Sequence, residues 1–263
     1  NFIDNFLLKN FVALIYHSLG DNPENEYNIE LINFKEQMKW LQSEGYTVEG
    51  FQKFIKRQTA NKWPSRYALL TFDDGYKSFL KAADILNDIG FNATFFITKD
   101  WCKNKQNFLS EIEIKELGLT QEIGSHTISH PILTKIPINL IYSELFESKK
   151  WIEDLIQSPI HSISAPGGFI NSKIIKMAFD IGYKLIGNSN EWWNNVNFTV
   201  SSSVINRIAM RRTYSIQTFN RIVKIDKKLF VKRKIKSNLL YLPKFILSAK
   251  QIREIKKTLN FLS

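Results

Sequence analysis

Seven short apolar runs recur along this chain with helical segments between several of them. That alternation restricts the available folds more than any other feature. "FVALIYH" (11–17), "YALLTF" (67–72), "NATFFIT" (92–98), "EIGSH" (122–126), "HSISA" (161–165), "KLIGNS" (184–189) and "VINRIAM" (204–210) read as strands. Between them, residues 33–48 put Phe34, Met38 and Leu41 on one helical face and stop at Gly45. Residues 76–90 carry Phe79, Ala82, Ala83, Leu86 and Ile89 at helical spacing before Gly90, and 139–156 and 171–182 also read as helices. Strands joined through helices run parallel, because the crossover is right-handed and covers the sheet. Seven or eight such units in 263 residues close most economically into a barrel. The expected fold is therefore α/β, a (β/α) barrel with mainly parallel strands over residues 1–220, followed by a basic helical extension over 221–263.

Composition matters at three points. Twenty Phe and six Trp are enough for a sizeable core, and the single Cys102 excludes an internal disulfide or a multi-cysteine metal site. The net charge of +11 is confined to one end: residues 221–263 hold 13 Lys and Arg against Asp226 and Glu254, while residues 1–220 are neutral. The tail reads either as a solvated helical face, with Pro243 dividing two helices, or as a dock for an anionic membrane, worth ~1 kcal/mol per near-surface cation. Nucleic acid is not an expected partner, because the neutral body carries no recognition motif. The oligomeric state is open. The first residues lack the features of a secretory signal, and no apolar run approaches the ~18 residues of a membrane span. That favours a cytoplasmic or membrane-peripheral location. The chain starts at Asn1, so a removed leader would make it extracytoplasmic.

In parallel α/β folds ligands gather beyond the carboxyl ends of the strands. His17, Asp73, Asp74, His126 and Pro166 all fall at or just after the ends of the expected strands. "TFDDGY" places two acids side by side, which reads as helix-terminal capping or as a pair kept apart by a cation. "SHTISHP" sets His126 and His130 four residues apart, which suits local hydrogen bonding or two ligands of one ion.

"TFDDGY" followed by "SHTISHP" resembles the polysaccharide deacetylases of carbohydrate esterase family four, the NodB-homology domain. Residues 13–48 are similar to the N-terminal region of the subgroup acting on poly-N-acetylglucosamine exopolysaccharides, and 164–189 resemble the family's third-motif segment. The resemblance covers about residues 11–212. It implies a deformed (β/α) barrel and one divalent ion, zinc first, with cobalt, nickel or iron as alternatives. Carried over residue by residue, it makes Asp74, His126 and His130 the metal ligands and Asp73 the general base. The backbone N–H of Tyr76 becomes the oxyanion donor.

Two departures stand out. No histidine follows His161, so the family's C-terminal acid histidine is missing. The exopolysaccharide subgroup takes that acid from the N-terminal strand, where His17 matches. The arginine before the third-motif proline is also missing, since "SISAPGG" has Ser164 and Ala165 ahead of Pro166 and Gly167. Arg207 either supplies that charge from a neighbouring strand or is an ordinary surface residue. Trp192 and Trp193 in "EWWNN" read as a sugar-stacking platform or as barrel wall, and His161 as structural. The implied activity is metal-dependent removal of N-acetyl groups from a glycan, polysaccharide or lipid-linked, by attack of an activated water. The alternatives are a catalytically silent glycan-binding module and a barrel hydrolase of another C–N bond.

Overall fold

The structure, a computed structural model, describes residues 10–20 and 22–240. Among the described residues ten strands form one sheet: β1 Asn10–Tyr16, β2 Thr47–Glu49, β3 Tyr67–Phe72, β4 Thr94–Ile97, β5 Glu122–Ser125, β6 Ser162–Ser164, β7 Leu185–Gly187, β8 Asn194–Asn195, β9 Val204–Ile205 and β10 Ile208–Ala209. Their order is β10-β1-β3-β4-β5-β6-β7-β9, with β2 on β3 and β8 on β1. Every pairing is parallel except β1 with β8. Helices separate most of the successive strands, including Leu31–Ser43, Phe79–Asp88, Ile138–Ile156 and Ser172–Asp180. The result is a nearly closed barrel.

β1 and β3 anchor the sheet through a five-residue register from Val12 against Ala68 to Tyr16 against Phe72. All six residues of β3 are buried, as a strand covered on both faces requires. Phe72 stacks on Phe95 at 4.5 Å, so aromatic rings knit neighbouring strands together. A second cluster, containing Phe11, Phe51, Phe54, Tyr67, Leu69 and Phe96, fills another part of the core.

The run 204–210 departs from the single strand expected. Val204 and Ile205 pair with β7, whereas Ile208 and Ala209 pair with β1, so the segment bridges the two ends of the sheet. At the break, the Asn194 side chain accepts from the Asn206 N–H and donates to its carbonyl, both at 2.8 Å. Asn206 thus finds its partners in a side chain rather than in a neighbouring strand. Arg207, next along the chain, is fully buried.

The chain divides into two compact units, Asn1–Phe219 and Asn220–Ser263, and the barrel belongs to the first. In the second, Asp226 accepts from the N–H groups of Lys228 and Leu229 at the start of helix Lys227–Leu240. Pro243 and the helix expected beyond it lie outside the described residues, as do residues 1–9. Among the described residues no helix is long and apolar enough to cross a membrane.

Candidate active site

The strand ends converge as the parallel layout predicts. His17 follows β1, Asp73 and Asp74 follow β3, His126 follows β5, and Pro166 lies two residues past β6. The Asp73 amide donates to the Tyr16 carbonyl at 2.9 Å, which carries the β1–β3 pairing to the mouth. Asp74 takes φ +89° and Gly75 +95°. The turn therefore bends sharply at a residue that carries a Cβ, a conformation typical of functional sites. A Cβ on Gly75 would also meet the Cys102 Sγ at 2.8 Å.

Asp74, His126 and His130 bring three ligand atoms within 4.8 Å of one another. Asp74 Oδ1 is 3.4 Å from His126 Nε2 and 3.5 Å from His130 Nε2. Atoms bound at about 2.1 Å to one tetrahedral ion stand about 3.4 Å apart, so the set fits a zinc-like cation. His126 Nδ1 lies 2.8 Å from the Ser164 carbonyl, and donating there leaves Nε2 free to act as a ligand. Burial alone would lower the His126 imidazole, but the Asp73 and Asp74 carboxylates outweigh it and hold the pKa above the ordinary value. Burial lowers His130, with the His126 charge adding to the effect.

Asp73 faces a different environment. Arg207 Nη1 donates to Oδ1 at 2.8 Å, Arg207 Nη2 to Oδ2 at 2.9 Å, and the Ser164 hydroxyl to Oδ2 at 2.8 Å. Burial would raise this carboxyl. The Arg207 and His126 charges and the Arg207 hydrogen bonds overturn that and hold it well below the usual carboxylate range. Arg207 also reaches the Ser164 and Thr71 hydroxyls and the Asn188 carbonyl. With no exposure, it is not a surface residue. The guanidinium enters from the β9–β10 break, beside the small Ser164 of β6 where the resemblance expects an arginine nearby.

His17 packs against Tyr27 at 5.0 Å, and its buried Nδ1 has no hydrogen-bond partner among the described residues. Burial lowers its pKa against the opposing pull of Asp74 and Asp73. Tyr27 in turn lies under Arg211, which pairs with Glu26 and Glu191 and so ties two loops together. The bridge between Tyr76 and Phe108 is carried by Lys77 N–H to Asn107 O and Leu109 N–H to Gly75 O. That pattern leaves the Tyr76 amide outside the pair. Pro166 is buried, and Gly167 sits in the following turn at φ +64°. Trp192 and Trp193 lie in the loop between β7 and β8 and stack on each other at 4.2 Å. Three contributors went unread in the sequence: Ser164 as a donor to the aspartate, Tyr27 behind His17, and Trp101, whose indole stacks on His130 at 4.6 Å. The paired "KDW" and "SHP" segments carry no spacing signal that would join them.

A carboxylate–histidine trio whose donor atoms could hold a divalent ion and a separate clamped aspartate thus stand together at the barrel mouth. Residues 60–186 match the family model described as polysaccharide deacetylase. YxkH of Bacillus subtilis, named as a polysaccharide deacetylase, is 32% identical over 177 residues, 65% of this chain and 62% of its own length. A poly-beta-1,6-N-acetyl-D-glucosamine N-deacetylase of Staphylococcus aureus is 25% identical over 200 residues, 70% of this chain and 66% of its own length. The chain thus spans a little under two thirds of these relatives. A Streptococcus pyogenes deacetylase, PplD, solved with acetate, shares the fold at TM-score 0.74 and 22% identity, covering 81% of this chain and 98% of its own.

Proposed function

We propose that this barrel is a metal-dependent N-deacetylase of a glycan built on N-acetylglucosamine-type sugars. The observation that carries the reading is the buried Asp73 clamped by Arg207 and Ser164 beside a complete ligand trio. A silent binding module needs only Asp74, His126 and His130, while keeping a second carboxylate out of water costs several kcal/mol of desolvation. The family match and the name of the staphylococcal relative support the substrate class.

Asp74, His126 and His130 would hold the divalent ion, which supplies Lewis-acid polarisation of the acetyl carbonyl and acidification of water when bound. Asp73 accepts the proton of the attacking water, and Arg207 and Ser164 keep it ionised and oriented. The Tyr76 amide donates to the oxyanion as it forms. His17 delivers a proton to the departing nitrogen, which leaves poorly as an anion. Burial lowers its pKa, which eases release of that proton, while the Asp74 and Asp73 carboxylates favour its charged form. Pro166, Gly167, Trp192 and Trp193 line the sugar side in this reading. The test is free amine released from N-acetylglucosamine oligomers with and without Zn²⁺, for wild type and Asp73→Asn. Zinc-dependent release by wild type alone supports the reading. Metal-loaded protein that releases acetate from no glycan supports the silent module.

The basic segment carries exposed Val231 and Ile235 among Lys227, Lys228, Lys232 and Lys234, which supports docking on an anionic membrane. Equal co-sedimentation with anionic liposomes after truncation near residue 220 would remove that part of the reading.

A further inference from the structure

The two ligand histidines leave one loop but are held in different ways. His126 is tied through Nδ1 to the Ser164 carbonyl. The His130 imidazole lies against the Trp101 indole, with ring centroids 4.6 Å apart and planes 29° from parallel. Lys105 Nζ sits 3.9 Å over the same indole. Phe108 meets Trp101 edge-on at 5.3 Å and stacks on Tyr76 at 4.6 Å, which continues the wall to the oxyanion donor.

The backbone of the loop is held just as closely. Thr127 and His130 take φ +70° and +64°, left-handed values that a residue with a Cβ adopts only when its surroundings enforce them. Glu144, from helix Ile138–Ile156, accepts from the Ile128 N–H at 2.7 Å, the Ser129 N–H at 3.0 Å and the Ser129 hydroxyl at 2.6 Å. On the carbonyl side, the amides of Lys99 and Asp100 donate to Thr127 and Ile128 at 3.2 and 2.9 Å.

We propose that Trp101 and Glu144 are positioning residues for the ligand His130. Trp101 fixes the plane of the imidazole and Glu144 fixes the strained backbone that aims it. The inference rests on the reading of Asp74, His126 and His130 as ligands of one ion. A ring already aimed at the ion surrenders little freedom on binding, so removing its support weakens affinity without removing a donor.

The test is the zinc dissociation constant of the full chain, read by competition with a chromophoric chelator at one pH. Trp101→Leu and Glu144→Gln should each weaken binding about 10- to 100-fold, the range for residues that orient a metal ligand. Trp101→Phe keeps a stacking ring and should stay within about threefold of wild type. His130→Ala should bind more weakly than any of them. The visible spectrum of the Co²⁺-loaded proteins gives a second readout, with Trp101→Leu altered and Trp101→Phe close to wild type. Wild-type affinity and spectrum in Trp101→Leu and Glu144→Gln, with zinc lost in His130→Ala, would overturn the positioning inference alone. Wild-type affinity in His130→Ala would overturn the metal reading beneath it.

Discussion

Arg207 grips Asp73 through two parallel hydrogen bonds of 2.8 and 2.9 Å, and neither side chain is more than 5% exposed. The pair joins the end of β3 to the break between β9 and β10, so one contact serves both barrel closure and the site. Removing one partner strands a buried charge, which costs about 3–5 kcal/mol. Arg207→Met should therefore lower the unfolding free energy, read from urea titrations, by an amount in that range and slow turnover. Arg207→Lys keeps the charge but not the fork, and should fall between the two.

The same pair sets a pH dependence. The folded pKa of Asp73 lies below its unfolded value near 3.9, so on acidification the unfolded chain binds the proton first. The stabilisation is complete above about pH 5 and is lost as pH falls through the acid range toward the folded value. The stability gap between wild type and Asp73→Asn should shrink from pH 5 to pH 3, with pH 7 as the reference at which the Asp73–His126 coupling also contributes. Denaturant titrations at those three pH values read it directly. A gap that widens toward pH 3 would contradict the clamp.

Much of this was legible in the chain because fully buried parallel strands are written as unbroken apolar runs. β3 has the bounds of "YALLTF", and Asp74, His126 and His130 cluster where the strand ends had to converge. β2 and β8 were not legible, since strands of three and two residues carry no period to detect. Helix Phe51–Ala60 starts at Gly50 without a capping side chain of its own, because Glu122 accepts from the Gln52 and Lys53 amides across 69 or 70 residues. Arg207 carried a partial signal, a lone cation inside the apolar "VINRIAM". Its partner could not be read, because the guanidinium crosses a seam that exists only once the barrel closes.

His17→Ala should reduce kcat by at least about 100-fold, the usual worth of a positioned proton donor, with zinc content unchanged. Burial sets the imidazole below its ordinary value, so the protonated fraction falls as pH rises through that value. A pH profile of wild-type kcat/KM should decline on its alkaline side, and His17→Ala should lose that limb. Zinc loss in the variant would make His17 a ligand instead.

Gly187 offers a test that leaves every site residue unsubstituted. A Cβ there would lie 2.6 Å from Arg207 Nε and 2.9 Å from Cζ. Gly187→Ala should push the guanidinium off Asp73 and slow turnover about tenfold or more, equivalent to roughly 1.4 kcal/mol of barrier. Zinc affinity should hold, because the atoms a Cβ at Gly187 would meet first all belong to Arg207. Unchanged activity would mean that the Arg207–Asp73 fork does not govern the base.

In the proposed mechanism Asp74, His126 and His130 cage one dication beside a separate aspartate. Anomalous scattering at the zinc edge from zinc-soaked crystals tests it most directly. A single strong peak is expected about 2.0–2.2 Å from one Asp74 oxygen and from both Nε2 atoms, with Asp73 outside bonding distance. Zinc bound elsewhere on the chain, with no peak among those three side chains, would contradict it.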